Sequence, residues 1–446
     1  MIRKIFSHSL IYALGPQLPR VASIFILPVI TRYLSATDYG IYGIITSYVS
    51  ILIVLNDLGF GVAFINSFFN YPKKWPVIWK QLHYYLLLWA VVFSLLVAIL
   101  ILLIIPAGAA KDQWLLIGIH AVTYILFNPA IIVGTKYYQF AQKPLFIMWA
   151  AGAAGITTVF LTLYTIAYLK MGYMGWFVSI FAGSLVQFLF FVYPVYVQYR
   201  LGPLFRFRKR FLKKQLRLSL PTIPHGYSAI LLNSSDRIVM DRVQIGTPVI
   251  GRYNLAYTIG SYFEFFGNAI GQALAPIYTS LFSRRTKPAN DLVFYLTRYL
   301  QFGFLLLGCC LALWAKEIFR LLIANNSLED VYPLGIIIIM SYVCRPYYWN
   351  VINRLQFNEQ TVQLWKISLI AGVGNLVLNI IFIPLYGITA AAITTFICIM
   401  YMGFAGFFLP AFKQADNRNY QPVPAILIIV AATVLVYLLK DIAVPV

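Results

Sequence analysis

The sequence has 446 residues, of which 61% are hydrophobic and only 11% charged. Water-soluble domains carry roughly a quarter charged residues, so this chain cannot cover a folded surface against water. Its formal charge of +21 raises the question of a nucleic-acid partner, which the placement of the charges answers below.

Apolar runs near the ~20 residues that cross a hydrocarbon layer about 30 Å thick recur from end to end. In chain order, spans are expected at 9–31, 39–64, 82–106, 114–135, 145–168, 173–197, 216–240, 250–277, 293–314, 332–352, 363–384, 387–410 and 424–440. Lipid offers no partner to backbone N–H and C=O groups, so runs this continuous are helices and not the alternating strands of a barrel. The expected fold is all-α: a polytopic membrane protein of two six-helix bundles around a central cavity, with twelve core transmembrane helices and a thirteenth. The opening residues MIRKIFSHSLIYALG run into the first span without a small-residue cleavage site. The four cysteines fall within apolar spans at no metal-type spacing, and read as packing residues.

With the N-terminus placed inside, 22 of the 34 Lys and Arg fall on the cytoplasmic side and 9 on the other. Each inside segment carries at least two, which is the positive-inside bias. The basic surplus is therefore topological, and no nucleic-acid partner is expected. Its densest part is RLGPLFRFRKRFLKKQLR, residues 200–217, which has no acidic residue. Such a segment would rest on anionic headgroups. It divides the chain into an N-terminal lobe (1–199), a basic cytoplasmic linker (200–215), a C-terminal lobe (216–410) and an extension with the extra helix (411–446).

The two lobes read as repeats. YQFAQ from Tyr138 resembles LQFNE from Leu355, and GYMGWFVSIFAG from Gly172 resembles GITAAAITTFIC from Gly387. TRYLSATDYGIYG from Thr31 echoes DRVQIGTPVIGRYN from Asp241. The offsets are nearly equal and the matches keep chain order. A shift of six spans preserves orientation, so the halves are parallel repeats, as in transporters whose lobes tilt against one another.

Polar groups inside spans usually face a bundle interior or a watery cavity. In the eighth span Asn254, Tyr257, Ser261, Glu264, Asn268 and Gln272 follow steps of three and four, and so hold one helix face. The seventh carries His225, Ser228, Ser235 and Asp236 after the Pro221/Pro224 pair, and the first carries Gln17, Arg20 and Ser23. Charges within or at the mouths of these spans are basic at Arg20, Arg32, Arg237, Arg242, Arg252, Arg298 and Arg345, and acidic at Asp57, Asp236, Asp241 and Glu264. That sign predicts an anionic ligand, and the planar donor fork of arginine suits phosphate. Two outcomes remain open for Arg237 and Arg242: snorkelling at the outer end of the seventh span, or a place in the cavity. The expected substrate-binding residues are Arg20, Arg32, Arg237, Arg242, Arg345, Tyr257 and Asn268. Asp57, Asp236, Glu264 and His225 are expected to couple or gate, through a proton or sodium gradient; no cofactor or metal is expected.

LPVITRYLSATDYGIYGIITSY, LPTIPHGYSAILLNSSDRIVMDRVQIGTPVIGRYNLAY and IPLYGITAAAITTF resemble polysaccharide-biosynthesis flippases of the O-antigen type, within the multidrug/oligosaccharidyl-lipid/polysaccharide exporter superfamily. The resemblance covers about residues 1–410. It implies a two-lobed, twelve-helix protein of the bacterial inner membrane that moves an undecaprenyl-pyrophosphate-linked oligosaccharide from the cytoplasmic to the periplasmic face, through a cationic cavity and a rocking of lobes. It also implies structural or cavity importance for Arg32, Asp236, Arg237, Gly251 and Tyr253. Expected partners are that glycan carrier, membrane lipids and polysaccharide-assembly proteins. The thirteenth span departs from the family's usual even count.

Two other functions compete. A multidrug or organic-cation exporter of the same superfamily would want a cavity dominated by carboxylates. A membrane glycosyltransferase or polymerase would want a sizeable polar loop or metal-binding acids, and Glu329 with Asp330 is the one adjacent outer pair. The expectation is a transporter and not an enzyme.

Overall fold

The computed structural model describes residues 18–220 and 223–441, without the side chains of 18–21, 225, 326, 327 and 361. Among the described residues there is no strand. Among the described residues, six helical stretches are long and apolar enough to cross a membrane: Trp75–Ile104, Ala107–Phe140, Pro144–Tyr168, Met174–Gln198, Lys287–Leu313 and Val362–Phe408. The chain divides into two compact units between Tyr227 and Ser228.

The N-terminal unit holds α1 (Leu18–Ile30), α2 (Ala36–Ile53), α3 (Gly61–Asn70) and α4 (Trp75–Ile104). Next come α5 (Gln113–Val122), α6 (Asn128–Phe140), α7 (Pro144–Leu163), α8 (Met174–Val192) and α9 (Lys209–Ser219). The TRYLSATD motif accounts for the start of α2. Ser35 Oγ accepts from the Asp38 N–H at 3.2 Å while the Asp38 carboxylate accepts from the Ser35 N–H at 2.8 Å, a reciprocal capping box. The other carboxylate oxygen of Asp38 accepts from the Tyr173 N–H at 3.0 Å, which fixes the turn ahead of α8. Between α5 and α6 lies a π turn, Thr123–Phe127. It sits just before Pro129, which has no N–H to continue the α-helical ladder. Helices α7 and α8 approach closely at Gly183, where an added Cβ would lie 2.9 Å from the carbonyl oxygen of Ala154. Small residues give this proximity in lipid, where packing replaces the hydrophobic drive between helices.

The second expected span, 39–64, is not continuous. It is broken between α2 and α3, with Leu58 and Gly59 both left-handed (φ 50° and 68°). The Asp57 carboxylate accepts from the Gly59 N–H at 2.9 Å, an Asx turn that competes with helix. Hydropathy does not register this break because the flanks stay apolar. The boundary expected at 215/216 also moves: α9 continues to Ser219, and the next helix begins at Ile223.

The C-terminal unit begins within α10 (Ile223–Arg242) and continues through α11 (Thr247–Arg284), α12 (Lys287–Leu313), α13 (Ala315–Leu322) and α14 (Tyr332–Ser341). It ends with α15 (Arg345–Phe357), α16 (Thr361–Phe404), α17 (Pro410–Ala415) and α18 (Pro422–Leu438). Helix α11 packs on α14 and α15, and α16 packs on both as well. The expected tenth span, 332–352, is interrupted by a 3-10 turn, Tyr342–Cys344, ahead of Arg345-Pro346. Helix α16 turns at Gly387, whose φ of 62° and ψ of −146° belong to glycine alone. The apolar C-terminal helix α18 packs on α12 and α14 and buries Ile429, Thr433 and Val436.

The repeat seen in sequence recurs in backbone detail. Gln142 after α6 and Glu359 after α15 are both left-handed, with φ of 54° and 58°. In one half the Lys143 N–H donates to Tyr138 O at 2.9 Å and Gln142 N–H to Gln139 O at 3.2 Å. In the other, Gln360 N–H donates to Leu355 O at 2.8 Å and Glu359 N–H to Gln356 O at 3.1 Å. Both are helix C-caps of the Schellman kind, which satisfy the last carbonyls. Gly172 and Gly387, the heads of the second sequence match, also share positive φ.

Candidate functional site

The polar face of α11 is packed against polar groups of its own unit. Tyr253 and Tyr257, one helical turn apart, point at α10, where Asn233 and Arg237 share a face by the same spacing. Arg237 is buried, with 5% of the residue exposed. Its Nη1 lies 3.0 Å from Asp236 Oδ1 and donates to Asn233 O at 2.7 Å, while Nε donates to Asn254 Oδ1 at 2.9 Å. The Tyr257 ring lies 4.1 Å from its central carbon. The fully buried Asp236 also accepts from the Tyr253 hydroxyl. A buried guanidinium is tolerable only with this degree of pairing, since its desolvation costs several kcal/mol.

From there a chain of contacts leads to a second pair. The Tyr257 hydroxyl donates to Asn233 Oδ1 at 3.2 Å and lies 3.2 Å from the Tyr342 hydroxyl. Tyr342 sits in the 3-10 turn that sets up α15, and its ring is 5.2 Å from the central carbon of Arg345. Arg345 Nη2 donates to Glu264 Oε1. This pair is less sealed than the first: the side chains of Arg345 and Glu264 are 10% and 13% exposed, against 6% and 0% for Arg237 and Asp236. Beyond it the face opens, through half-buried Asn268 to exposed Gln272. Arg345 Nε is buried and has no hydrogen-bond partner among the described residues. The guanidinium at the open end of the ladder thus keeps a spare donor.

Of the residues expected from sequence, the fold brings together Asp236, Arg237, Tyr257, Glu264 and Arg345, with Asn268 further along the same face. Arg237 is buried within the unit and does not snorkel. Arg242 is exposed at the end of α10. Arg32, exposed, and Asp57, half-buried in its own Asx turn, belong to the N-terminal unit. Arg20 lies in α1 and His225 in α10, and both side chains fall outside the described residues. Arg237 and Arg345 each have a carboxylate partner, so each pair is neutral, and the basic surplus of the sequence count lies with other residues. At Arg345 one donor, Nε, stays without a partner among the described residues.

Sequence reasoning missed Asn233 and Tyr342 as members of this ladder. It also missed a second ion cluster at the far end of α15. There Arg354 Nη2 lies 2.8 Å from Asp416 Oδ2, Arg418 Nη1 lies 3.0 Å from Asp416 Oδ1, and Arg418 Nη2 lies 2.8 Å from Asp291 Oδ1. The Tyr420 hydroxyl donates to Asp416 Oδ2 at 2.9 Å. This cluster ties the segment after α17 to α12 and α15. No group of three or more metal-ligating side chains occurs among the described residues.

A family model described as polysaccharide biosynthesis protein matches residues 2–282. Among solved structures, the fold is similar to the lipid II flippase MurJ in an inward closed conformation, with a TM-score of 0.68 at 14% identity over 96% of this chain and 97% of that one. It is also similar to an inward-facing multidrug resistance MATE family transporter of the MOP superfamily, with a TM-score of 0.64 at 15% identity over 95% of each chain. A third is a MOP superfamily transporter from Pyrococcus furiosus, described as having a binding pocket of reverse polarity, with a TM-score of 0.55 at 15% identity over 97% of this chain and 96% of that one. These likenesses establish the fold. No curated protein matches.

Proposed function

The chain belongs to the polysaccharide biosynthesis protein family, and from that premise we propose that it is a flippase. Its cargo is an undecaprenyl-pyrophosphate-linked oligosaccharide, carried by alternating access from the cytoplasmic to the periplasmic face of the bacterial inner membrane. The N-terminus is cytoplasmic, as the positive-inside bias indicates. No bond is made or broken, so its residues hold and release and do not react.

The observation that carries this reading is the spare Nε donor of Arg345 beside an existing carboxylate partner. A pyrophosphate offers two or more oxygens to a guanidinium fork, and bidentate contact favours it over a single carboxylate oxygen. As the cargo takes Arg345, Glu264 loses its counter-charge in a largely buried place. A carboxylate left without its counter-charge in a low-dielectric place calls for another cation, which an ion gradient can supply. Cargo binding and ion binding would then be linked through one residue pair, which gives a gradient its grip on the cycle. The organic-cation alternative would require Glu264 to bind the cargo and Arg345 to be its release partner.

The two readings separate in an export assay that follows lipid-linked glycan reaching the outer leaflet. Arg345→Ala should abolish export with protein still in the membrane, Arg345→Lys should retain a fraction, and Glu264→Gln should change the dependence on the ion gradient. Wild-type export from Arg345→Ala would sink the proposal.

A further inference from the structure

The basic stretch after α8 is not a loose tether. The Leu204 N–H donates to Lys80 O at 2.9 Å, Gln81 Nε2 to Arg206 O at 3.2 Å, and the Arg208 N–H to the Tyr85 hydroxyl at 2.8 Å. Buried His83 places Nδ1 2.9 Å from Leu201 O. The connector is thus fastened along the start of α4. Its helix α9 then lays Phe211, Leu212 and Leu216 on a core that includes Phe60, Phe64 and Trp79, which leaves the opposite face basic.

Between α9, α3 and the start of α4 lies a cavity of about 820 Å³. Lys74, Arg210, Lys213, Lys214 and Arg217 line it, and no acidic side chain among the described residues does. Asn66 and Asn70 supply amides on the α3 side. None of the five cations forms an ion pair among the described residues. Five like charges gathered on a fastened scaffold repel one another, so the arrangement calls for an anion. Ile65, Phe69, Val77 and Leu218 on the same three helices expose large apolar side chains. A polar, cationic hollow bordered by outward apolar groups matches a lipid with a phosphate head and hydrocarbon tails, in the manner of interfacial helices on anionic membranes.

We infer that this cavity in the N-terminal unit binds the phosphate of an anionic lipid headgroup. The site lies in a different unit from the Arg345–Glu264 pair and does not depend on the transport reading. Two sources share the chemistry, a glycerophospholipid and a polyprenyl diphosphate, and phosphate contact is common to both.

The test is lipid retention by the full-length protein in detergent, read by native mass spectrometry after addition of phosphatidylglycerol, phosphatidylcholine or polyprenyl diphosphate. Phosphatidylglycerol or polyprenyl diphosphate should be retained over phosphatidylcholine, and whichever displaces the other identifies the preferred source. The K213Q/K214Q/R217Q variant should lose at least about tenfold in retention, since each basic side chain near a surface contributes attraction. K213R/K214R, which keeps the charge and is the safer fold, should retain lipid as the wild type does. As a control, K287Q/K366Q/K413Q removes as many charges elsewhere. Equal loss in this control, equal retention of phosphatidylcholine, or undiminished retention in K213Q/K214Q/R217Q overturns the inference.

Discussion

The hydroxyls of Tyr257 and Tyr342 lie 3.2 Å apart and join two ion pairs, Asp236–Arg237 and Glu264–Arg345, into one buried ladder. Each hydroxyl is the other's partner in a place where water is scarce. Removing one hydroxyl leaves the other short of a bond, a loss of about 1 kcal/mol for a neutral hydrogen bond. Tyr257→Phe and Tyr342→Phe should each lower the melting temperature in detergent, and the double variant should cost less than their sum. Strict additivity in that cycle would mean that the contact contributes nothing.

Glu264 and Arg345 can be separated as structure and as function. Glu264→Ala strands a buried guanidinium and should destabilise by about 3 to 5 kcal/mol, whereas replacing both members by Met should recover most of that stability. Glycan export should stay absent in the double Met variant despite the recovered fold. Export returning together with stability would reduce the pair to scaffolding.

Much of this is legible in the sequence, and the limits have physical causes. Hydropathy locates the six long apolar stretches of the described residues because each is a continuous run, and helical spacing places Asn254, Tyr257, Ser261 and Glu264 on one face. It could not pair Arg345 with Glu264, which are 81 positions apart, nor select Tyr342 from 32 tyrosines. The Asx turn at Asp57 was written in Asn56-Asp57-Leu58-Gly59, yet an apolar window averages over such a short break. The net positive charge at the spans is a sum over residues, so it cannot say which arginine meets which carboxylate; the fold pairs Arg237 with Asp236 and Arg345 with Glu264.

Asp416 should be the most sensitive acidic residue outside the spans. It is 4% exposed and accepts from Arg354, Arg418 and Tyr420. Asp416→Ala leaves Arg354 without its carboxylate, and a loss of about 3 kcal/mol is expected for breaking one side of a buried pair. Arg418 keeps Asp291. Arg418→Ala should therefore cost clearly less than Asp416→Ala in thermal unfolding, and the reverse order would place the weight of the cluster on Asp291.

The matched caps at Gln142 and Glu359 give the repeat a thermodynamic test. Both residues hold positive φ, with φ of 54° and 58°, which for a side chain with a Cβ costs roughly 1 to 2 kcal/mol. Glycine removes that strain and gives back part of it through the freer unfolded chain, so a net gain of about 0.5 to 1 kcal/mol is expected for Gln142→Gly and for Glu359→Gly. Alanine keeps the Cβ and should give no gain, which isolates backbone strain from the loss of the side chain's own contacts. If the two caps are equivalent, both glycine variants should raise the melting temperature by similar amounts, and together they should add, since each acts on its own helix end. A rise in one half with a fall in the other would show that the shared hydrogen-bond pattern hides different local balances.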